Sequence, residues 1–300
     1  MKNINYLKNC NICPHKCLVN RENNQRGFCR AGNKLKIALA SVFYYEEPCI
    51  SGNNGSGTIF FSNCNLKCIY CQNYEISDGG KGKEISIEEL VDIFLKLQDK
   101  KVDNINLVTP TIYALQIKEA IILARKNGLE IPIIYNSSGY DSVDILKQLD
   151  GYIDVYLPDF KYASNDIAFK YSGIKNYVEI AKKAIFEMYR QVGNAKFNSK
   201  GIIERGIIIR NLILPGNVRN TKNVLDIIKD NFGKDTYISI MAQYFPTNKA
   251  ENFKELNRKI NKRELKIIEN YIYELGLNNG YIQSLGKCEE EYVPDFNLEF

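Results

Sequence analysis

The stretch that decides the fold is residues 58–73, which read TIFFSNCNLKCIYCQN. Residues 58–62 form an apolar run with the length of a buried strand. Directly after this run come Cys64, Cys68 and Cys71, in the spacing Cys-x3-Cys-x2-Cys. The sequence therefore predicts a strand whose C-terminal end leads into a loop that carries three thiols.

Strand-like runs and helical patterns alternate after this loop. A helix is predicted over residues 86–100, with Ser86 as the N-cap and Glu89 three residues later, which is the pattern of a capping box. Further strands are predicted at 104–108, 131–135, 152–157, 206–214 and 237–241, and further helices at 111–127, 141–149, 174–192 and 219–231. This order predicts an α/β fold with a parallel sheet and functional loops at the strand C-termini.

Two arrangements of such a sheet fit the periodicity equally well, an open doubly wound sheet and an incomplete barrel. The chemistry of the thiol loop favours the second, so we expect a partial (β/α)6 TIM-like barrel. Residues 1–50 are polar and cysteine-rich, which predicts a small N-terminal module held together by a metal or a cross-link. The run ISGNNGSG at 50–57 predicts a turn or linker. We therefore expect domains at 1–50 and 51–300, the second ending in a helical extension.

Bulk composition narrows the class of protein. Charged residues make up 25% of the chain and the formal net charge is +5, without a run of basic residues, so nucleic-acid binding is disfavoured. The N-terminus MKNINYLKNC has no apolar signal core, and no stretch has the length of a membrane span, so we expect a soluble, cytoplasmic protein. Nine cysteines in such a protein indicate metal or redox chemistry. His15 is the only histidine, which excludes most histidine-dependent acid–base mechanisms.

Three thiolates in one loop can ligate three irons of a [4Fe-4S] cluster, whereas electron-transfer clusters use four cysteines. Beyond Cys71 the next cysteine is Cys288. One iron can then be open to a substrate or cofactor, much as a catalytic zinc keeps an open position. An open iron indicates chemistry rather than electron storage.

A second group of thiols lies near the N-terminus, at Cys10, Cys13, Cys17 and Cys29. Four thiols suit either a closed structural zinc site or an auxiliary Fe-S cluster, and the spacing does not choose between them. His15 is either an alternative ligand or a solvated loop residue, and we expect the latter. Cys49 and Cys288 are expected to be structural, with a spare-ligand role left open for Cys49.

The motif Cys-x3-Cys-x-aromatic-Cys after the first strand resembles that of the radical S-adenosylmethionine (SAM) superfamily. The resemblance implies that Cys64, Cys68 and Cys71 hold a [4Fe-4S] cluster whose open iron chelates the amino and carboxylate groups of SAM. One electron from the cluster then cleaves the sulfonium bond to give a 5′-deoxyadenosyl radical, which abstracts hydrogen from a substrate. The protein positions and shields these groups.

More narrowly, residues 57–73, together with Asp159-Phe160-Lys161 and the segment 209–216, are similar to enzymes that activate pyruvate formate-lyase. This similarity covers roughly residues 57–245. It implies an oxidoreductase that abstracts hydrogen from a glycine of a glycyl-radical enzyme, or from another protein substrate, and that receives electrons from a donor such as flavodoxin or ferredoxin. A substrate is not transferred by superfamily resemblance alone.

The chain departs from those activases at three points. It has the extra N-terminal cysteines, it has Thr109-Pro110-Thr111 where a Gly-Gly-Glu loop would follow the second strand, and Gln243 stands near a segment that bears a histidine in the family. These differences place it in an activase-like branch with an additional N-terminal cysteine module.

The resemblance also implies a set of polar residues around SAM, in loops after successive strands: Thr109, Thr111, Asn136, Ser137 and Ser138. Ordinary turn polar residues are an equally weighted alternative for each. Asp159 and Lys161, two positions apart at the end of a strand, point the same way and can bind the ammonium and carboxylate groups of SAM or the substrate. Arg210 lies in an apolar run, so it needs a buried acidic partner or the cofactor carboxylate. A network of structural salt bridges is the alternative for Arg210.

A function of a different class also fits part of the sequence. The N-terminal cysteines can form a zinc-binding module that contacts RNA or a partner protein, carried on an inert α/β body. The modest net charge argues against this alternative, because RNA binding depends on neutralising phosphate charge.

Overall fold

A computed structural model describes residues 6–286 and 294–296 of the chain. The strands are β1 Leu35–Phe43, β2 Ser56–Phe61, β3 Lys83–Ile85, β4 Ile105–Val108, β5 Ile133–Ser137, β6 Val155–Pro158, β7 Lys196–Phe197, β8 Ile203–Leu212, β9 Tyr237–Met241 and β10 Gly280–Ile282. The helices are α1 Pro48–Ser51, α2 Tyr74–Ser77, α3 Ile87–Asp99, α4 Ala114–Lys126, α5 Val143–Leu146, α6 Asn165–Ser172, α7 Tyr177–Val192, α8 Val218–Phe232 and α9 Lys262–Leu275. Short 3-10 turns occur at Thr111–Tyr113, Lys147–Leu149 and Ala250–Asn252.

The sheet has the strand order β10-β9-β8-β6-β5-β4-β2-β1-β3, with β7 paired to β8. From β2 to β10 the neighbours on this path are parallel, whereas β1 is antiparallel to both β2 and β3. A doubly wound sheet reverses its order at a switch point. Here the six predicted strands, β2, β4, β5, β6, β8 and β9, succeed one another in one direction. The sheet is not closed, and the prediction of a partial barrel is confirmed.

Side-chain alternation along the strands separates an outer apolar face from an inner lumen. Ile134, Val155 and Ile208 face inward near the N-terminal side of the barrel, where they pack in a buried cluster with Cys49 and Ile50. The short helix α1 therefore fills that part of the lumen with apolar side chains. Two residues further along β5 and β8, Asn136 and Arg210 line a cavity at the other end of the sheet.

Helix α3 illustrates how local sequence determines a helix start. Ser86 accepts a hydrogen bond from the backbone N–H of Glu89, and the Glu89 side chain accepts from the backbone N–H of Ser86, which completes the predicted capping box. Apolar residues of α3 then recur at helical spacing and are buried: Leu90, Val91, Ile93, Phe94 and Leu97.

Some elements differ from the sequence expectation. The helix predicted at 174–192 is α7, which begins at Tyr177, and the unpredicted helix α6 ends before it at Gly173 in the left-handed conformation (φ 72°). The strand β1 lies within residues 1–50, yet its residues 37–43 pair with β2. The sheet therefore begins before residue 50, and the division into domains at that residue stays a prediction. Over the residues that the structure describes, no helix is long and apolar enough to cross a membrane.

Candidate active site

A cavity opens at the C-terminal ends of the parallel strands, and we call it cavity A. The three thiols of the loop after β2 form part of its wall. The other polar or charged lining residues come from the segment after β1, from the end of the thiol loop and α2, and from the ends of later strands: Glu46, Gln72, Asn73, Ser77, Thr109, Asn136, Ser137, Ser138, Asp159, Lys161, Arg210 and Gln243. The structure therefore brings Asn136, Asp159, Lys161 and Arg210 together with Cys64, Cys68 and Cys71, as the sequence analysis expects.

Backbone hydrogen bonds hold the thiol loop in place. The N–H groups of Lys67 and Ile69 donate to the carbonyls of Ser172 and Tyr171 at the end of α6. The Oγ of Ser172 lies 2.9 Å from Cys68 Sγ. These contacts tie the position of the loop to α6, a helix that the sequence analysis does not predict.

Hydroxyl groups accompany two of the thiols. Ser172 Oγ also lies 2.6 Å from the hydroxyl of Tyr162, which in turn lies 2.6 Å from the hydroxyl of Tyr70 within the motif. Cys71 Sγ lies 3.2 Å from Ser77 Oγ in α2. Ser77 and Ser172 are therefore functional candidates that the sequence does not single out, because their link to the thiols depends on tertiary contact.

The donor set of cavity A fits a cluster with one open iron. Its described lining contains three cysteines and no fourth. Burial raises the pKa of Cys68 to about 11, and Lys161 opposes that shift. Bound iron would stabilise the thiolate forms that metal binding requires. Over the described ranges 6–286 and 294–296, no group of three or more His, Cys, Asp or Glu side chains is arranged to hold a single metal ion. A cluster spreads its thiolates over separate irons, so the thiols need not converge on one point.

An ion-pair network lies beside the thiols. Lys161 Nζ is 2.6 Å from Asp159 Oδ2, and Arg210 Nε is 3.4 Å from Asp159 Oδ1. Burial disfavours the charged form of Asp159, but Lys161 and Arg210 outweigh it and lower the pKa of this carboxyl. Asp159 and Lys161 thus point the same way, as predicted, and they pair with each other.

Arg210 finds the buried acidic partner that its position in β8 requires. Its Nη1 lies 3.0 Å from Glu46 Oε2 and 3.6 Å from Glu47 Oε2, and its Nη2 donates to Asn136 Oδ1 at 2.9 Å. The salt-bridge network that we weigh as an alternative is present here, whereas a contact of Arg210 with a cofactor stays a prediction. Neither glutamate is predicted from the sequence, where the only signal for them is the pair of acids directly before Pro48.

Two of the predicted polar residues hold a buried carboxylate instead of only facing the cavity. Thr111 and Ser137 donate hydrogen bonds to Asp141 at 2.8 and 2.6 Å, and Tyr135 donates a third at 3.0 Å. Burial raises the pKa of Asp141, and these three donors oppose the shift. Thr111 is absent from the described lining of cavity A, so the structure gives it a supporting contact.

Thr109 and Ser138 do line cavity A. The backbone of Thr109 is in the left-handed region (φ 61°), which is a strained conformation for a β-branched residue. The Oγ of Ser138 is buried without a hydrogen-bond partner among the described residues. A buried hydroxyl without a partner is costly, so a bound ligand that supplies a partner would be favoured there.

The N-terminal thiols also lie near one another. Cys10, Cys13 and Cys29 are buried, and neighbouring thiols add to the burial that raises the pKa of both Cys13 and Cys29. Backbone N–H groups of His15, Phe28 and Ala31 donate to Cys13, Cys17 and Cys29. In the portion described, these thiols do not meet the geometry of a single-ion site. A second metal therefore stays a prediction.

The expectation that His15 is a solvated loop residue is wrong. Its Nε2 lies 2.9 Å from the carbonyl oxygen of Asn65 in the thiol loop, and its ring stacks on Phe28 at a centroid distance of 3.9 Å. Burial lowers the pKa of this imidazole. Cys49 is 1% exposed and packs in the apolar cluster of the lumen, as a structural cysteine should. Cys288 lies outside the described residues.

Comparison with known proteins identifies the family. A family model described as the Radical SAM superfamily matches residues 58–203. The chain is 32% identical to the uncharacterised protein MJ0674 of Methanocaldococcus jannaschii, over 90% of this chain and 77% of that protein. MJ0808 of the same organism is 22% identical, over 95% of this chain and 84% of that protein.

Solved structures show the same fold at low sequence identity. Streptococcus suis SuiB bound to S-adenosylmethionine matches with a TM-score of 0.52 and 16% identity, over 74% of this chain and 48% of that one. The FeFe-hydrogenase maturase HydG from Carboxydothermus hydrogenoformans matches with a TM-score of 0.51 and 14% identity, over 73% and 50% of the two chains. The matched region spans about half the length of these two proteins. On the family match and the long alignment with MJ0674, this chain belongs to the radical SAM superfamily, whose members use a [4Fe-4S] cluster and S-adenosylmethionine.

Proposed function

We propose that Cys64, Cys68 and Cys71 hold the [4Fe-4S] cluster and that cavity A binds SAM beside it. The observation that carries this proposal is the composition of one wall, in which three thiols, with no fourth among the described residues, stand next to paired charges. When bound, the cluster supplies the electron that cleaves SAM into methionine and a 5′-deoxyadenosyl radical. The rest of the work falls to the protein, which must orient SAM and exclude water.

The charged side chains of cavity A suit the two ends of the SAM amino-acid group. Asp159 is a carboxylate kept ionised by its neighbours, so it can accept a hydrogen bond from the SAM amino group. Lys161 and Arg210 are cations that suit the SAM carboxylate, and Asn136 offers an amide beside Arg210. Bound SAM would exchange hydrogen bonds with the Asp159–Lys161 pair without leaving a buried charge unpaired.

We further propose that the radical abstracts hydrogen from a peptide or protein substrate, as in activases of pyruvate formate-lyase. The similarity over residues 57–245 supports this, and it suggests a glycine of a glycyl-radical enzyme as the target and flavodoxin or ferredoxin as the electron donor. One structure with the same fold was solved as SuiB bound to the precursor peptide SuiA. The departures at Thr109-Pro110-Thr111 and Gln243 leave the peptide class better supported than the specific glycine.

The N-terminal thiols are proposed to bind a second metal, either zinc or an auxiliary Fe-S cluster. Support comes from the three backbone N–H groups directed at Cys13, Cys17 and Cys29, since N–H···S contacts stabilise thiolates. The contact of His15 with Asn65 would let this metal support the thiol loop. Metal analysis of a Cys13→Ser variant separates the two options, because it would lose either zinc or iron while the iron at the thiol loop remains.

Anaerobic reconstitution tests the main proposal. The chain is loaded with iron and sulfide, and 5′-deoxyadenosine is measured after adding SAM and a strong reductant, with iron content and electron paramagnetic resonance recorded in parallel. Cys64→Ala, Cys68→Ala and Cys71→Ala should each abolish the product and the cluster signal. Cys49→Ala removes a buried cysteine outside cavity A and is the matched control. A fully loaded cluster that releases no 5′-deoxyadenosine would refute the proposal.

A further inference from the structure

A second cavity adjoins cavity A, and we call it cavity B. It lies between the ends of β9 and β10 on one side and the segment 44–52 on the other. Its volume is about 420 Å³, within the range of small-molecule sites. The two cavities share five lining residues, so a ligand in one touches the walls of the other: Tyr45, Glu46, Arg210, Met241 and Gln243.

The charges around the two cavities do not balance. Across their described lining residues the cations are Lys161 and Arg210, and the carboxylates are Glu46, Glu47 and Asp159. Asp159 takes Lys161 as its closest partner and also lies 3.4 Å from Arg210 Nε. The one guanidinium of Arg210 is therefore shared among Asp159, Glu46 and Glu47.

Glu47 has the longest contact with Arg210 of the three carboxylates. Its side chain is 7% exposed, and its Oε2 lies 3.6 Å from Arg210 Nη1, beyond hydrogen-bond distance. That oxygen is buried and has no hydrogen-bond partner within residues 6–286 and 294–296. A buried anionic oxygen without a donor is costly. Glu47 lines cavity B but not cavity A. SAM bound in cavity A, as proposed, would therefore not supply the missing hydrogen-bond donor to Glu47.

Apart from Glu46, Glu47 and Arg210, the described lining residues of cavity B are uncharged. Ser51, Ser239 and Gln283 offer hydrogen-bonding groups, and Tyr281 and Met241 offer apolar surface. No lysine or arginine other than Arg210 lines it among the described residues. Such a pocket favours a ligand with a cationic group that donates N–H hydrogen bonds and with an apolar chain attached to that group.

We propose that cavity B is the substrate subsite and that it binds a protonated amine or guanidinium through Glu47. The inference rests on the proposed function, which it deepens by naming the chemical class of the substrate. A group held at Glu47 places the rest of the substrate toward Met241 and Gln243, which face both cavities. The cation is either a lysine or arginine of a peptide, or a free amine.

Binding of small probes to the reconstituted holoenzyme with SAM tests this directly. N-acetyl-lysine N-methylamide is titrated by calorimetry against its neutral counterpart, N-acetyl-norleucine N-methylamide, and n-butylamine serves as the free amine. The lysine probe should bind at least tenfold more tightly than the norleucine probe. If the lysine probe binds more tightly than butylamine, the substrate is a peptide; if the two affinities are equal, it is a free amine. Either result supports a cation site in cavity B.

Variants then locate the site. Glu47→Gln should weaken the lysine probe at least tenfold, and Ser239→Lys should abolish its binding by bringing an ammonium into cavity B. Glu204→Gln, which removes an exposed carboxylate on β8, should leave the affinity unchanged. Melting temperatures verify that each variant is folded.

The proposal is overturned if the two acetylated probes bind equally, if neither binds, or if Glu47→Gln keeps the preference for lysine. These measurements do not depend on SAM cleavage. A chain that shows the preference but releases no 5′-deoxyadenosine loses the proposed function and keeps this inference. A chain that releases 5′-deoxyadenosine without any preference loses this inference alone.

Discussion

Substituting Arg210 by methionine should destabilise the fold more than any surface change. The guanidinium is 12% exposed and lies within 3.6 Å of three carboxylates. After its removal Asp159 keeps Lys161 and Glu46 keeps the hydrogen bond from Asn106, but Glu47 loses Arg210, its one ion-pair partner among the described residues. Breaking a buried pair from one side costs about 3–5 kcal/mol, which corresponds to a fall in melting temperature on the order of 5–10 °C.

The deficit of Arg210→Met should depend on pH, with a sign that follows from Glu46. Burial already raises the pKa of Glu46 against the opposition of Arg210, so removing Arg210 raises it further. An acid whose folded pKa lies above its unfolded pKa destabilises the fold at high pH, and the penalty disappears as the pH falls below the unfolded value. The variant should therefore lose more stability at about pH 8 than at about pH 5.

The assay is the melting temperature of the anaerobic protein at both pH values, followed by circular dichroism. Arg125→Met is the matched control, since Arg125 pairs with Asp154 at 3.1 Å with both side chains about one-third exposed. That pair should contribute about 0–1 kcal/mol. A deficit for Arg210→Met no larger than that of the control, or one that grows as the pH falls, would refute the charge-network argument.

Three further predictions test individual contacts. Ser172→Ala removes the hydroxyl near Cys68 Sγ and should lower the reduction potential of the bound cluster without loss of iron. The reason is that hydrogen bonds to sulfur stabilise the reduced state, so an unchanged potential would contradict this role of Ser172. Thr111→Val removes one donor to Asp141 and should cost about 1–3 kcal/mol in thermal unfolding with iron content retained; iron loss at unchanged stability would reverse the assignment. Ser86→Ala breaks the capping box of α3 and should cost about 1 kcal/mol, whereas an unchanged melting temperature would contradict the role of the cap.

Local patterns predict most of the elements that form the barrel wall. The run at 58–62 and the capping box at Ser86 are confirmed because both depend on interactions within a few residues. The strand β1 is not predicted, although its residues 35–43 include an apolar run, because the sequence does not show that this segment pairs antiparallel with β2. Pairing of that kind depends on partners that periodicity does not identify.

The candidate site also has a part that the sequence predicts and a part that it does not. The thiol spacing predicts three cysteines in one wall of a cavity, because all three lie in a single loop. The surroundings of Arg210 are not predictable, since its nearest carboxylate, Glu46, is 164 residues away in the chain. Thr111 is likewise predicted to face SAM, but in the folded chain its hydroxyl donates a hydrogen bond to Asp141.

By itself the sequence determines the family, the thiol loop and the succession of strands and helices, because these follow from short-range spacing and periodicity. The tertiary structure alone decides that the strands succeed one another in one direction around a lumen, and that Glu46, Glu47 and Arg210 meet inside it. The physical reason is that burial and ion pairing are set by which distant segments share one interior, and that sharing exists only once the chain has folded.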